Sequence, residues 1–146
     1  MEHRSDIITT TQAPKPIGLF PHAWRAGNLL FLSGQGPGIP GTDRFAGVEL
    51  DAAGNIVTYD FEAQCRAVFD NVRRILEASG SRWERIVDVT VFLTNMRDDF
   101  PVFNRLYTEC FRDHPAPPAR TTVEINRAPR SEERRVGKSV DLGGRR

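Results

Sequence analysis

Lysine is nearly absent from this 146-residue chain: only Lys15 and Lys138 occur, and Lys15 lies in a loop between prolines. A buried lysine forming a Schiff base is therefore a poor centre for its chemistry. The two cysteines, Cys65 and Cys110, fall inside helical patterns without metal-type spacing, and both read as buried, reduced thiols. The three histidines, His3, His22 and His114, are scattered and lack the close spacing of a zinc motif. No apolar run approaches the length of a membrane span, and the polar stretch Met1 to Gln12 has no signal-peptide core. A cytoplasmic protein with no membrane partner is the default expectation. No dinucleotide fingerprint follows a strand, and Ser33 sits in Ser-Gly-Gln rather than in a nucleophile elbow. What remains is chemistry with no cofactor, metal or covalent adduct: a clamp for a carboxylate and a positioned water.

The formal charge of +1 is unevenly spread. Arg130 to Arg146 carry six basic and three acidic residues; removing them from the totals of 20 and 19 leaves 14 and 16, a net of −2 for residues 1–129. A slightly acidic body argues against a groove built for nucleic acid. The last segment, RSEERRVGKSVDLGGRR, has no period of two, no helical stripe and a loop-like Gly-Gly. Its Gly137-Lys138-Ser139 is only half of a phosphate-loop motif. The segment also resembles the in-frame translation of a sequencing adapter. The expected organisation is a single domain over 1–129 and a foreign-looking, disordered tail over 130–146.

Within the body, Leu29 to Gly34 reads as a buried strand between turn signals. Residues 36–47, dense in glycine and proline, read as a loop, and Asp51 to Asn55 as a turn before a short strand at Ile56-Val57. Asp60 caps a helix running from Phe61 to Ser79 and stopping at Gly80, with Phe61, Cys65, Val68, Val72, Ile75 and Leu76 on one face. Ile86 to Leu93 reads as a strand with one apolar face (Val87, Val89, Val91, Leu93) and one mixed face (Ile86, Asp88, Thr90, Phe92). Asp98 or Asp99 caps a second helix with Pro101 in its first turn. Trp24 and Trp83, flanking strands, read as packing residues. The order predicts an α+β fold of split βαβ type, with two helices on one face of a small sheet. The mixed face then needs cover from another chain, so a homo-oligomer is expected.

Pro117 and Pro118 stop the second helix, and Ala119-Arg120-Thr121-Thr122-Val123-Glu124-Ile125 follows as a strand. Arg120 thus stands at the mouth of a sheet, where a guanidinium can grip a carboxylate with two parallel hydrogen bonds.

Ile17-Gly18-Leu19-Phe20-Pro21-His22-Ala23, Gly27-Asn28-Leu29-Leu30-Phe31-Leu32-Ser33-Gly34-Gln35 and Ala119 to Glu124, in that order, resemble the reactive-intermediate (imine/enamine) deaminase family, also called YjgF/UK114. The likeness covers about residues 14–129. Phe20-Pro21-His22 and Phe92-Leu93-Thr94-Asn95-Met96 look most like its 2-aminomuconate deaminase branch, which belongs to aromatic degradation. The resemblance implies a chorismate-mutase-like fold, a homotrimer with clefts between subunits, and no cofactor. It implies a small carboxylated enamine or imine substrate, hydrolysed with release of ammonia and a 2-oxo acid. Arg120 would bind the carboxylate, with Phe20, Ser33, Gly34, Asn95 and Thr122 around the ligand; Asn95 reads equally as a turn residue after its strand. Tyrosine is common in the family where this chain has Phe20. The family's acid/base glutamate lies on a final strand that this chain is expected to lack, and Glu132 and Glu133 do not inherit the role. His22 is the catalytic alternative, against a structural loop histidine. A non-catalytic ligand-binding or chaperone-like trimer is the competing function.

Overall fold

The computed structural model describes residues 6–126 and the backbone of a strand at 140–145. A six-stranded sheet begins with Ile7–Ile8 (β1), paired antiparallel to Ala23–Ala26 (β2). Gly27, at φ +59°, lets the chain turn within two residues into Leu29–Gln35 (β3). Leu30 and Leu32 point into the core, while Leu29 and Phe31 are exposed on the other face. Val48–Leu50 (β4) and Ile56–Tyr59 (β5) form a separate hairpin, its turn closed by the Asp51 side chain accepting from the Ala53 and Asn55 amides. Sequence reading found the β3 run, the turn and part of β5. It missed β1, β2 and β4, none longer than four residues.

Phe61–Ala78 (α1) matches the expected helix: Asp60 accepts from the Ala63 amide, and Gly80 leaves the helix at φ +75°. All six residues of its apolar stripe are buried. A short 3-10 turn, Trp83–Arg85, precedes Asp88–Leu93 (β6). The expected strand began at Ile86, with Ile86 on the mixed face and Val87 on the apolar one. The structure reverses both: Ile86 is buried and Val87 exposed. These two residues leave the 3-10 turn before the ladder starts, so the period of two does not yet apply to them. From Val89 the alternation holds, with Val89, Val91 and Leu93 buried.

Met96–Phe111 (α2) starts earlier than expected. Its cap is Asn95, not Asp98 or Asp99, and Pro101 lies inside the helix. The Glu124 carboxylate accepts from the Met96 amide, holding the first turn from a strand that is distant in sequence. Asp99 turns inward to the Tyr59 hydroxyl. Ala119–Glu124 (β7) runs parallel to β6 and ends the sheet.

The expectation of a missing final strand is corrected. Val140–Arg145 (β8) lies between β3 and β6, antiparallel to both, giving the order β1-β2-β3-β8-β6-β7. The tail is thus not disordered over 140–145; residues 127–139 lie outside the described residues. A ladder is made by backbone groups, so a slot with two hydrogen-bonding edges accepts an extended chain of modest pattern. Val140, Leu142 and Gly144 are in register with Leu93, Val91 and Val89. In the sequence this alternation is too short to stand out against the neighbouring glycines.

α1 packs on β3 and β8, and α2 on β6 and α1, so the two helices share one face of the sheet, as expected. The core includes Leu30, Leu32, Phe69, Val89, Val91, Leu93, Phe103 and Leu106. Trp83 is packed between Phe69 and Phe111, in line with its reading, whereas Trp24 is exposed. Cys65 is buried and its thiol pushed up to about 12, chiefly by desolvation; Cys110 is half-buried and raised for the same reason.

On the solvent side Glu62, Arg66, Arg105 and Glu109 close a ring of alternating charge between the helices, with contacts of 2.9 to 3.5 Å. The Arg66 and then the Arg105 hydrogen bonds hold the Glu62 carboxyl below its ordinary 4.5. A depressed folded pKa means the ring's contribution is present above 4.5 and is lost as pH falls through the folded value. Glu62→Gln should therefore lower the melting temperature at pH 7 but converge on wild type at the acid end of that window. A constant difference across pH would show that the charge is irrelevant.

Candidate functional site

The parallel register pairs Val89 with Arg120 and Val91 with Thr122. Both β7 side chains therefore lie on the helix-covered face, at the end strand of the sheet. Arg120 is half-buried, and its guanidinium lies 4.6 Å from the ring centre of Tyr107, 5.4 Å from Phe103 and 5.9 Å from Phe100. A planar, weakly hydrated cation stacks well on such rings. Its Nη2 donates to Asn104 Oδ1 at 2.8 Å. The neighbouring Thr122 Oγ1 is shielded from solvent and finds no hydrogen-bond partner among the described residues. An orphan hydroxyl of this kind calls for a partner that the described residues do not supply.

Ser33 and Gly34 sit at an irregularity in β3, where the pairing with β8 shifts between Leu32 and Gln35. The extra residue takes this stretch out of the regular ladder, a common device beside binding sites. Ser33 Oγ donates to Pro21 O at 2.7 Å, and Gln35 Nε2 donates to the Ser33 and Gly34 carbonyls. Phe20 precedes that Pro21, in a loop where Ile17, Leu19 and Phe20 are exposed. The Phe20 amide donates to Gly18 O, and its ring lies so close over Gly18 that a Cβ there would be 3.0 Å from Cε1. Phe20, Ser33 and Gly34 thus form one group, and Arg120 and Thr122 another. Leu32 and Arg120 are level across the sheet through Gly144 and Val89. Three strand spacings separate β3 from β7, roughly 14 Å, so one chain does not bring the two groups together.

The other two candidates have structural work. His22 is buried; its Nδ1 accepts from the Thr10 amide at 3.2 Å and its Nε2 donates to Pro14 O at 2.8 Å. Both nitrogens tie the N-terminal segment to the start of β2, work that favours the structural reading of His22 over the catalytic one. Asn95 caps α2: it accepts from the Asp98 amide, and its Nδ2 donates to Asp98 Oδ2 at 2.8 Å. Its turn reading fits better than a ligand contact. Glu124, the carboxylate of β7, is likewise engaged at the Met96 amide.

Sequence reading missed the mount of Arg120. Phe100, Phe103, Asn104 and Tyr107 recur at helical spacing on one stripe of α2. A polar Asn104 among these rings carries no signal in the sequence without its partner.

Fold and site define an α+β protein with a half-buried arginine, stacked against aromatic rings, on its end strand. The family profile described as Endoribonuclease L-PSP matches residues 10–134. The chain belongs to that family, the YjgF/UK114/RutC/Rid group that includes imine and enamine deaminases. It is 40% identical over 125 residues to a RutC family protein of Pyrococcus horikoshii, covering 86% of this chain and 88% of the relative. The E. coli YjgF gene product superposes with a TM-score of 0.75 at 33% identity, covering 97% of each chain. E. coli TdcF, solved with bound serine, superposes with a TM-score of 0.75 at 28% identity, covering 95% of each.

His22→Ala takes the hydrogen-bond partner from two main-chain groups, one half-buried and one buried. It should cost about 2–3 kcal/mol in denaturant unfolding while leaving kcat/KM of the folded fraction near wild type. Unaltered stability with lost turnover would favour the catalytic reading of His22 instead.

Proposed function

We propose that this protein is a cofactor-free hydrolytic deaminase of a carboxylated enamine or imine, with 2-aminomuconate as its substrate. The half-buried Arg120, which has no described carboxylate partner, carries this reading. The bound serine of TdcF supports it, since that ligand also has a carboxylate beside an amino-bearing carbon. Phe20-Pro21-His22 and Phe92 to Met96 support the 2-aminomuconate branch.

In the proposed reaction the 2-amino-dienoate tautomerises to its 2-imine. Arg120 grips the carboxylate and fixes the orientation of the reacting carbon. Water adds to that carbon, the carbinolamine expels ammonia, and a 2-oxo acid remains. Backbone groups at Ser33 and Gly34 stabilise the developing charge, the Thr122 hydroxyl takes a ligand hydrogen bond, and Phe20 closes over the site.

The two groups of residues meet only if copies associate. The open sheet face carries Ile7, Trp24 and Phe31 as cross-strand neighbours, all exposed, and, farther along on β6 and β7, the cross-strand pair Phe92 and Val123. A homotrimer that buries this face and also packs the β7 edge of one copy against the Phe20 loop of the next would set Phe20, Ser33 and Gly34 against Arg120 and Thr122. Its location would be cytoplasmic. The competing reading, a binding trimer without turnover, draws on one observation: among the candidate residues no free carboxylate or imidazole stands ready as acid or base.

Arg120→Ala should lower ammonia release from 2-aminomuconate by roughly 100-fold, and Trp24→Asp should give a monomer with equally little activity. Near-wild-type release by Arg120→Ala would sink the assignment; tight carboxylate binding without turnover in wild type would favour the binding trimer. Residues 130–146 are proposed to be adapter-derived. Sequencing the 3′ end of the source gene decides this: a frame continuing after Pro129 into an apolar strand with a glutamate would support the proposal, and RSEERRVGKSVDLGGRR in the gene itself would refute it.

A further inference from the structure

We infer that Asn104 is a positioning residue that selects which edge of the Arg120 guanidinium meets the ligand. The inference rests on the carboxylate-binding role proposed for Arg120. A guanidinium offers two edges that can grip a carboxylate with paired N–H donors, and Nη2 contributes one hydrogen to each. Asn104 Oδ1 takes one of those hydrogens at 2.8 Å. One edge is thereby closed and the other left open. Arginine has no acceptor, so the amide oxygen must be the atom that faces it.

The faces of the group are set as well. Tyr107, Phe103 and Phe100 place their rings 4.6, 5.4 and 5.9 Å from the guanidinium carbon. These residues and Asn104 occupy one stripe of α2. Rings and amide together hold the cation in one plane with one open edge. The partner's neutrality matters equally. An aspartate at 104 would pair with the guanidinium and compete with the ligand; an asparagine orients it and leaves the positive charge uncompensated. Among the described residues no carboxylate pairs with Arg120.

The test compares Asn104→Asp, Asn104→Leu and Arg120→Ala with wild type. Binding of pyruvate, a small 2-oxo acid, is measured by calorimetry. Turnover is measured on the 2-imino acid generated in situ from leucine by an amino-acid oxidase, and folding by thermal melts. Asn104→Asp should melt no lower than wild type yet bind pyruvate at least roughly tenfold more weakly. Its KM should rise in step, and kcat should change less. Asn104→Leu, which frees the group to rotate, should lose kcat more than pyruvate affinity. Wild-type pyruvate affinity and KM in Asn104→Asp would overturn the inference, even if Asn104→Leu fails to fold. If Arg120→Ala is inactive while both Asn104 variants behave as wild type, only the positioning role fails. If Arg120→Ala keeps wild-type affinity and turnover, or wild type binds no pyruvate, the carboxylate role falls and takes this inference with it.

Discussion

The parallel pairing of β6 with β7 is the interaction on which the site depends. Parallel neighbours need a crossover, and here the crossover is α2. A helix joining two adjacent strands must lie over them, so α2 covers the face where the register puts Val89, Val91, Arg120 and Thr122. An arginine at the second position of β7 therefore meets that helix. What it meets is three aromatic rings and one amide, a surface that holds a guanidinium without neutralising it.

The segments outside the ladder are held by single polar side chains. His22 binds Thr10 and Pro14, and Ser33 binds Pro21. Asn71, fully buried on α1, donates to the Gly36 and Gly38 carbonyls and so anchors the loop after β3. Asn95 and Glu124 satisfy amides at the start of α2. Buried backbone without a ladder must find other partners, and each of these residues answers that need. The N-terminal loop, the β3 irregularity and the loop behind it are consequently braced against one another around Ser33 and Gly34.

Two helices cover one face of a six-stranded sheet, and the other face keeps apolar groups in water. The same topology puts Phe20, Ser33 and Gly34 three strands away from Arg120. One geometrical fact thus bears on both the proposed assembly and the proposed function: the homotrimer proposal answers the uncovered surface and the separation of the two groups together.

Where a signal is local, the amino-acid sequence alone determined the outcome. The Asp60 cap, the apolar stripe of α1 and the turn at Gly80 all act within a few residues, and the helix formed where they put it. The strand bearing Arg120 was equally legible, because two prolines and a β-branched run act on their own backbone. Tertiary structure decided the rest. α2 begins at Met96 because Asn95 and the distant Glu124 cap it. Val140–Arg145 became a strand because β3 and β6 leave a slot with two hydrogen-bonding edges. His22 is tied to two main-chain groups 12 and 8 residues away. Asn104 gained a role only when the crossover laid α2 against β7. Hydrogen bonds between residues far apart in the chain leave no periodicity to read, and that is where the sequence alone fell short.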